Sequence, residues 1–71
     1  MNSTQTVWRG YVTLNGKTTV ELEVFWRAGR WALYRTSNHS RDNFNDAKNA
    51  MAWGSKINPK IEWRREAMEA L

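Results

Sequence analysis

The dipeptide Asn15-Gly16 separates two runs of β-branched and aromatic residues, and no other feature restricts the fold as strongly. The runs cover residues 6–14 and 18–27, and this arrangement is typical of a β-hairpin with a tight turn. The even-numbered positions of the second run are apolar and are Val20, Leu22, Val24 and Trp26. The sequence therefore predicts two antiparallel strands that share one apolar face.

The length of the loop decides the register of this hairpin. A two-residue loop at Asn15-Gly16 would place the apolar even positions of the first strand opposite two glutamates of the second. A three-residue loop over residues 14–16 instead places Trp8 opposite Leu22, so that apolar positions coincide. We therefore predict the three-residue loop, with Gly16 in the left-handed conformation that a G1-type bulge requires.

A second tight turn is indicated at Ala28-Gly29, which precedes another β-rich run over residues 30–36. A two-residue loop there places Trp26 directly opposite Trp31 and keeps the apolar positions of both strands on one face. We therefore predict a three-stranded antiparallel meander whose apolar face carries Trp8, Trp26 and Trp31 as core residues.

One amphipathic helix is predicted after the meander. Asp42 or Asn43 is a suitable N-cap, and Gly54 after Trp53 is a suitable C-terminal stop. The apolar positions between them have helical spacing and are Phe44, Ala47, Ala50 and Met51. This helix is expected to pack on the Trp-rich face of the sheet, which makes residues 1–71 a single small α+β domain.

The C-terminal segment has two interpretations. Asn58-Pro59 is a good N-cap and N1 pair, and the strong helix formers that follow favour a C-terminal helix over residues 59–70. The alternative is a fourth strand over residues 60–65, where Ile61 and Trp63 alternate with charged residues. We expect the helix.

The residue inventory excludes several kinds of chemistry. Cysteine is absent and there is one histidine, which excludes a disulfide framework, a thiolate metal site and a His-rich metal site. His39 shares a polar loop with Ser37, Ser40 and Asp42, but side chains this close in one loop rarely reach triad geometry. We therefore expect a polar turn there and a protein that is not an enzyme, with no catalytic residues, cofactor or metal.

Charge and hydropathy restrict the partners. No apolar run approaches the roughly 20 residues of a membrane span, and the first residues lack the pattern of a signal peptide. We expect a cytoplasmic protein of the host cell with no membrane partner, and the sequence specifies no oligomeric state. Eleven lysines and arginines against seven acidic residues give a net charge of +4, which favours anionic partners.

The outer face of the predicted sheet interleaves aromatic side chains with arginines. The predicted partner-binding residues on this face are Arg9, Tyr11, Phe25, Arg27, Arg30 and Tyr34. Trp63, exposed on the C-terminal helix, is a further candidate anchor. Such a surface suits a protein interface or a nucleic acid whose bases stack on the rings. Packing of the C-terminal segment on this face would bury the aromatics instead.

Two resemblances imply nucleic-acid binding. A basic three-stranded meander followed by one helix is similar to the arm-type DNA-binding domain of phage integrases and to the plant ethylene-response DNA-binding domain. Residues 46–52 look like the last helix of double-stranded-RNA-binding domains, where Lys48 matches an RNA-contacting position. The cluster that precedes this helix in those domains is replaced here by residues 41–43.

A third resemblance is to small type I-F anti-CRISPR proteins of phages and mobile elements. The matching residues are Ala47, Lys48, Ala50, Met51, Trp53, Gly54 and Ser55. These proteins act stoichiometrically by occluding a surface of the CRISPR effector. The resemblance implies a non-enzymatic inhibitor whose partner is a host protein or ribonucleoprotein complex. The alternative is a small basic domain that binds DNA or RNA through the aromatic and arginine face.

Overall fold

A computed structural model describes the backbone of residues 3–70 and the side chains of residues 7–66. In chain order the elements are β1 (Ser3–Leu14), β2 (Lys17–Arg27), β3 (Arg30–Arg35), β4 (Arg41–Phe44), α1 (Ala47–Ile57) and β5 (Glu62–Ala70). The strands form one antiparallel sheet in the order β4-β3-β2-β1-β5. The predicted α+β class and the β1–β2–β3 meander are confirmed.

The turn between β1 and β2 has two residues, so the predicted three-residue loop is wrong. Leu14 pairs with Lys17 across Asn15-Gly16. Asn15 and Gly16 have φ angles of 53° and 77°, and positive φ at both central positions is the requirement of a type I′ turn. This turn also matches the right-handed twist of the strands it joins.

A β-bulge in β2, several residues after the turn, restores the apolar register. Gly10 pairs with Leu22, whereas Tyr11 pairs with Val20, which leaves Glu21 as an extra residue on β2. Side chains alternate between the two faces of a strand, so one extra residue changes which positions of β2, odd or even, lie opposite the even positions of β1 beyond it. The apolar positions of the two strands therefore coincide before the bulge, although the turn has two residues.

Thr36 stabilises the bulged stretch of β2. Its hydroxyl donates to the carbonyl oxygens of Val20 and Glu21 at 2.9 and 3.2 Å, and its backbone N–H donates to the Glu21 carbonyl at 3.1 Å.

As a consequence of the bulge, Trp8 lies opposite Val24 and not opposite the predicted Leu22.

The β2–β3 hairpin agrees with the prediction. Ala28-Gly29 forms a two-residue turn in which both residues have positive φ, and Trp26 lies opposite Trp31. Their rings meet edge to face with centroids 5.6 Å apart. Trp31 packs against the core, but Trp26 is 48% exposed. The core assignment of Trp26 is therefore wrong, because this residue lies at the turn end of β2, outside the packed cluster.

Residues 41–44 form a strand where the start of the helix was predicted. Phe44 in β4 pairs with Trp31 in β3. The helix begins after Asp46, whose carboxylate accepts a hydrogen bond of 2.7 Å from the backbone N–H of Asn49. Asp42 and Asn43 are therefore not the N-cap, because pairing with the free edge of β3 takes them into the sheet.

The helix also continues past its predicted end. Gly54 lies inside α1, which ends at Ile57. A Cβ atom at residue 54 would approach the Cζ2 atom of Trp63 to 2.7 Å. Glycine at this position is therefore explained by the close approach of the helix to the sheet and not by a C-terminal cap.

The core lies between α1 and one face of the sheet, which we call the inner face. Its buried residues are Leu22, Val24, Leu33 and Ala50. Partly buried residues packed around them are Trp8, Trp31, Phe44, Ala47, Met51, Ile61 and Trp63. The predicted helical stripe is thus confirmed as core-facing, although Phe44 reaches the core from β4.

The C-terminal segment is the strand β5, so the expected helix over residues 59–70 is wrong. The alternative of a fourth strand over residues 60–65 had the correct element type but different bounds. In the β1–β5 pair, Trp63 lies opposite Gly10. A Cβ atom at residue 10 would approach Ile61 Cγ1 to 2.7 Å and Trp63 Cζ3 to 3.2 Å. The two apolar side chains occupy the space that glycine leaves, and this packing outweighs the helix propensity of the residues that follow.

Over residues 3–70, the structure contains no helix that is long and apolar enough to cross a bilayer.

Candidate binding site on the outer face

Strand register brings six of the seven predicted partner-binding residues to the face opposite α1, which we call the outer face. Directly opposed residues of antiparallel strands point to the same side of the sheet. Arg27 lies opposite Arg30, and Glu23 lies opposite both Arg9 and Tyr34, so these residues share one face. The residues on this face are Arg9, Tyr11, Phe25, Arg27, Arg30 and Tyr34. They divide into two electrostatically different halves.

Trp63 is the exception, because it lies on the inner face and not on an exposed helix. Its indole N–H donates to the hydroxyl of Ser55 in α1 at 3.1 Å, and its ring packs against the core. The predicted position of Trp63 on an open surface is therefore wrong.

The half of the outer face formed by β1 and β5 is internally neutralised. Arg9 donates to Glu23 at 3.1 Å and to Glu66 at 2.6 Å. Glu66 also accepts a hydrogen bond of 2.5 Å from the hydroxyl of Tyr11, and the Arg64 guanidinium lies 4.6 Å above the Tyr11 ring. We call these five residues the β1–β5 network. Its carboxylates engage Arg9, which sequence reasoning treated as available to a partner.

The ionisation of the network follows from these contacts. The hydrogen bond to Glu66 raises the pKa of Tyr11 above its ordinary value. The hydrogen bond from Tyr11, together with the charge of Arg9, lowers the pKa of Glu66. The hydrogen bond to Glu23 raises the pKa of Arg9 further. Each shift favours the protonation state found at neutral pH, so the network is stable as a neutral Tyr11 beside a charged Glu66.

The other half of the outer face is cationic. Arg27, Arg30 and Arg41 line a cleft of about 300 Å³, which we call the arginine cleft, together with Ala32 and Asn43. All three arginines are exposed. None of them forms an ion pair with any acidic side chain of residues 7–66. The cleft therefore concentrates three positive charges that the described part of the protein leaves uncompensated.

Arg41 was missed by sequence reasoning. It joins the cleft because β4 pairs with β3, which places Arg41 opposite Tyr34 and Asn43 opposite Ala32. No apolar alternation marks residues 41–44 in the sequence, because the polar Asp42 faces inward together with Phe44. Capping propensity at Asp42 and Asn43 concealed this short strand.

A second cleft of about 430 Å³ adjoins the first, and we call it the Trp26 cleft. Arg30 and Asn43 line both clefts, whereas Trp26 and Phe44 belong only to the second. Trp26 and Phe44 occupy inner-face positions, since each lies opposite Trp31. The two clefts therefore meet at Arg30 and Asn43, at the end of the sheet formed by the β2–β3 turn, and the Trp26 cleft extends from there to the inner face.

The polar loop before β4 does not assemble the grouping that its sequence suggests. The Nδ1 atom of His39 lies 2.5 Å from the hydroxyl of Tyr34. Asp42 lies opposite Leu33 in the β3–β4 pair, so it points away from Tyr34 and the outer face. Within residues 7–66, no group of acidic and histidine side chains is arranged to hold a metal ion.

The chemistry that this surface offers is anion recognition. Guanidinium groups present several N–H donors in a fixed plane that matches phosphate and carboxylate oxygens, and an asparagine amide adds both a donor and an acceptor. Comparison with protein-family models, with curated protein sequences and with solved structures found no match to this chain.

Proposed function

We propose that this chain is a non-enzymatic binding protein that holds an anionic partner in the arginine cleft of its outer face. The observation that carries the proposal is the convergence of Arg27, Arg30 and Arg41 from three neighbouring strands, with no acidic partner among residues 7–66. Like charges directly opposite each other in a sheet are destabilising, and Arg27 lies directly opposite Arg30. An anion in the cleft relieves that repulsion, so binding stabilises the fold locally.

The β1–β5 network supports this placement by exclusion. Arg9 and Tyr11 already engage Glu66, and a partner would have to break those hydrogen bonds to use either residue. A partner that binds the arginines of the cleft breaks no ion pair within residues 7–66. Binding energy is therefore concentrated at the end of the outer face formed by β2, β3 and β4.

The biological form that we propose is a stoichiometric inhibitor of a host defence complex of the CRISPR type, acting in the cytoplasm. It rests on the resemblance over residues 47–55 and on the small size of the chain. Within that segment, Ala50 and Gly54 are buried against the sheet. Part of the resemblance therefore reflects helix packing, and the residues that contact the partner come from the sheet.

The binding proposal is tested by NMR titration with three defined anions, namely a polyglutamate peptide, a DNA duplex and an oligothymidylate. At least one anion is expected to shift the side-chain Nε–H signals of Arg27, Arg30 and Arg41. The double variant Arg27→Glu/Arg41→Glu should abolish that binding, whereas Lys17→Glu/Lys60→Glu, which changes net charge equally, should retain it. Unchanged cleft signals with all three anions would overturn the proposal.

The inhibitor form has its own test. Purified protein is titrated into a type I-F CRISPR effector complex, and target binding is measured at each ratio. Inhibition is expected to be complete near an equimolar ratio and to be lost in Arg27→Glu/Arg41→Glu. Full target binding at a large excess of protein would exclude inhibition of that complex while leaving anion binding in place.

A further inference from the structure

We infer that the arginine cleft and the Trp26 cleft together bind single-stranded nucleic acid, with backbone phosphates among the arginines and a base stacked on Trp26. The inference rests on the proposed function and names the class of its partner. It is carried by the junction of the two clefts at Arg30 and Asn43, which places cationic and aromatic surfaces side by side.

The phosphate-binding part is the arginine cleft. Arginine and asparagine side chains are common donors to phosphate oxygens, and such contacts fix the position of a strand without reading its sequence. Ala32 also lines the cleft and is 2% exposed, so the surface that a phosphate meets is formed by the larger polar side chains around it.

The base-binding part is Trp26. This residue is 48% exposed although its ring contacts Trp31 edge to face. An indole that is held by a neighbouring ring and still presents half of its surface is a suitable stacking platform, because every base has a π face. Asn43 and Asn45 line the same cleft, and their amides can pair with the edges of a base.

The path of the two clefts favours a single strand over other anions. The track passes from the outer face past Gly29, Arg30 and Asn45, at the end of the sheet formed by the β2–β3 turn, to Trp26 on the inner-face side. A flexible single strand follows such a bend with its bases unstacked, whereas a duplex keeps its base faces inside the stack. A polyglutamate peptide matches the arginines but brings no ring of its own to Trp26.

The β1–β5 network limits the length of the track. Beyond the cleft, the outer-face arginines Arg9 and Arg64 are already paired with the carboxylates of Glu23, Glu62 and Glu66, so the described part of this half offers phosphates no uncompensated positive charge. The bound segment is therefore short, on the order of four nucleotides, at the lower end of known single-strand sites.

The inference is tested by fluorescence anisotropy with the full-length chain and a labelled oligothymidylate of about 12 nucleotides. Trp26→Ala should weaken binding about tenfold or more, as expected when one stacked base loses its platform. Trp53→Ala is the matched control, because Trp53 is 44% exposed on α1 and lines neither cleft. It should leave the affinity unchanged. Affinity should also fall steeply between ~50 and ~200 mM salt.

A second measurement protects the test against misfolding of Trp26→Ala. The wild-type protein is titrated with the same oligonucleotide while the indole N–H signals of its tryptophans are followed by NMR. The Trp26 signal is expected to shift and the Trp53 signal to remain in place. Absence of a Trp26 shift at saturation overturns the inference.

The remaining outcomes separate the inference from the proposed function. If a duplex binds as tightly as the oligothymidylate, or if a polyglutamate peptide binds through the arginines and the oligothymidylate does not, the single-strand inference fails and the anion-binding proposal stands. If none of the three anions binds at the arginine cleft, both fail.

Discussion

The hydroxyl of Tyr11 donates a hydrogen bond of 2.5 Å to the carboxylate of Glu66, which is 55 residues away in the chain. The same carboxylate accepts a hydrogen bond of 2.6 Å from Arg9. These contacts tie β1 to β5 on the outer face, opposite the side that carries the core. They also determine how the stability of this strand pair responds to pH.

The pH dependence has two limbs. The pKa of Glu66 is lowered by folding, so its contribution to stability is complete above the ordinary carboxyl range and is lost as pH falls through about 4 and below. The pKa of Tyr11 is raised, so its contribution is complete below about pH 10 and is lost at more alkaline pH. Urea denaturation of the wild type should therefore show lower midpoints at both extremes.

Tyr11→Phe isolates the alkaline limb. This variant keeps the ring beneath Arg64 but removes the hydroxyl that titrates. Its denaturation midpoint should fall less than that of the wild type above about pH 10. An alkaline limb of equal size in both proteins would assign the effect to other groups.

Thr36→Val tests the support of the bulge. The substitution keeps the shape of the side chain and removes the hydroxyl that donates to Val20 and Glu21. The expected cost is about 1 kcal/mol in free energy of unfolding, the usual value for an intramolecular hydrogen bond. Thr13→Val removes an exposed side-chain bond to Thr18 and should cost less. Equal costs would mean that Thr36 has no special role.

Gly54→Ala should destabilise the protein although alanine is the better helix former. The gain in helix propensity is about 1 kcal/mol, and the overpacking against Trp63 is expected to cost about 1–3 kcal/mol. In a Trp63→Phe background the clash with the indole is relieved and the contact with Leu22 Cδ1 at 3.0 Å remains, so the same substitution should cost less. A cost that is identical in both backgrounds contradicts the packing explanation.

Trp31 and Trp26 should differ in their contribution to stability. Trp31→Ala removes a ring that packs on the core and should cost about 3–5 kcal/mol. Trp26→Ala removes a half-exposed ring and mainly loses the aromatic pair, which is worth about 1 kcal/mol. Thermal denaturation followed by circular dichroism measures both. A larger loss for Trp26→Ala would place that side chain in the core after all.

The sequence was sufficient to predict strand pairing where the pairing depends on residues that are close together in the chain. The Ala28-Gly29 turn and the alternation on either side of it determine the β2–β3 register, and both were read correctly. The length of the β1–β2 turn was predicted wrongly because the strand register depends on a second feature. The bulge at Glu21, several residues from the loop, shifts the pairing by one residue and brings the apolar positions of the two strands together. No local preference marks Glu21 as the bulged residue. Alternation alone still placed the arginines of β2 and β3 on the outer face.

The sequence was insufficient to predict the strands β4 and β5, because each forms by pairing with an edge of the three-stranded meander. Residues 41–44 form β4 because β3 offers an open edge, and residues 62–70 form β5 because β1 offers the other. Helix propensity in the last residues is overridden by the fit of Trp63 over Gly10. Consequently neither the contribution of Arg41 to the cleft nor the engagement of Arg9 by Glu66 was foreseeable from local patterns.

The pairing of β1 with β5 also bears on the order in which the protein folds. This ladder pairs residues as far apart in the chain as Ser3 and Ala70, whereas the β2–β3 hairpin closes through a two-residue turn. Hairpins form in about 1–10 μs, and contacts between distant residues form more slowly because a long loop must close first. The strands that carry the arginine cleft are thus expected to assemble early, and the carboxylates of β5 arrive last.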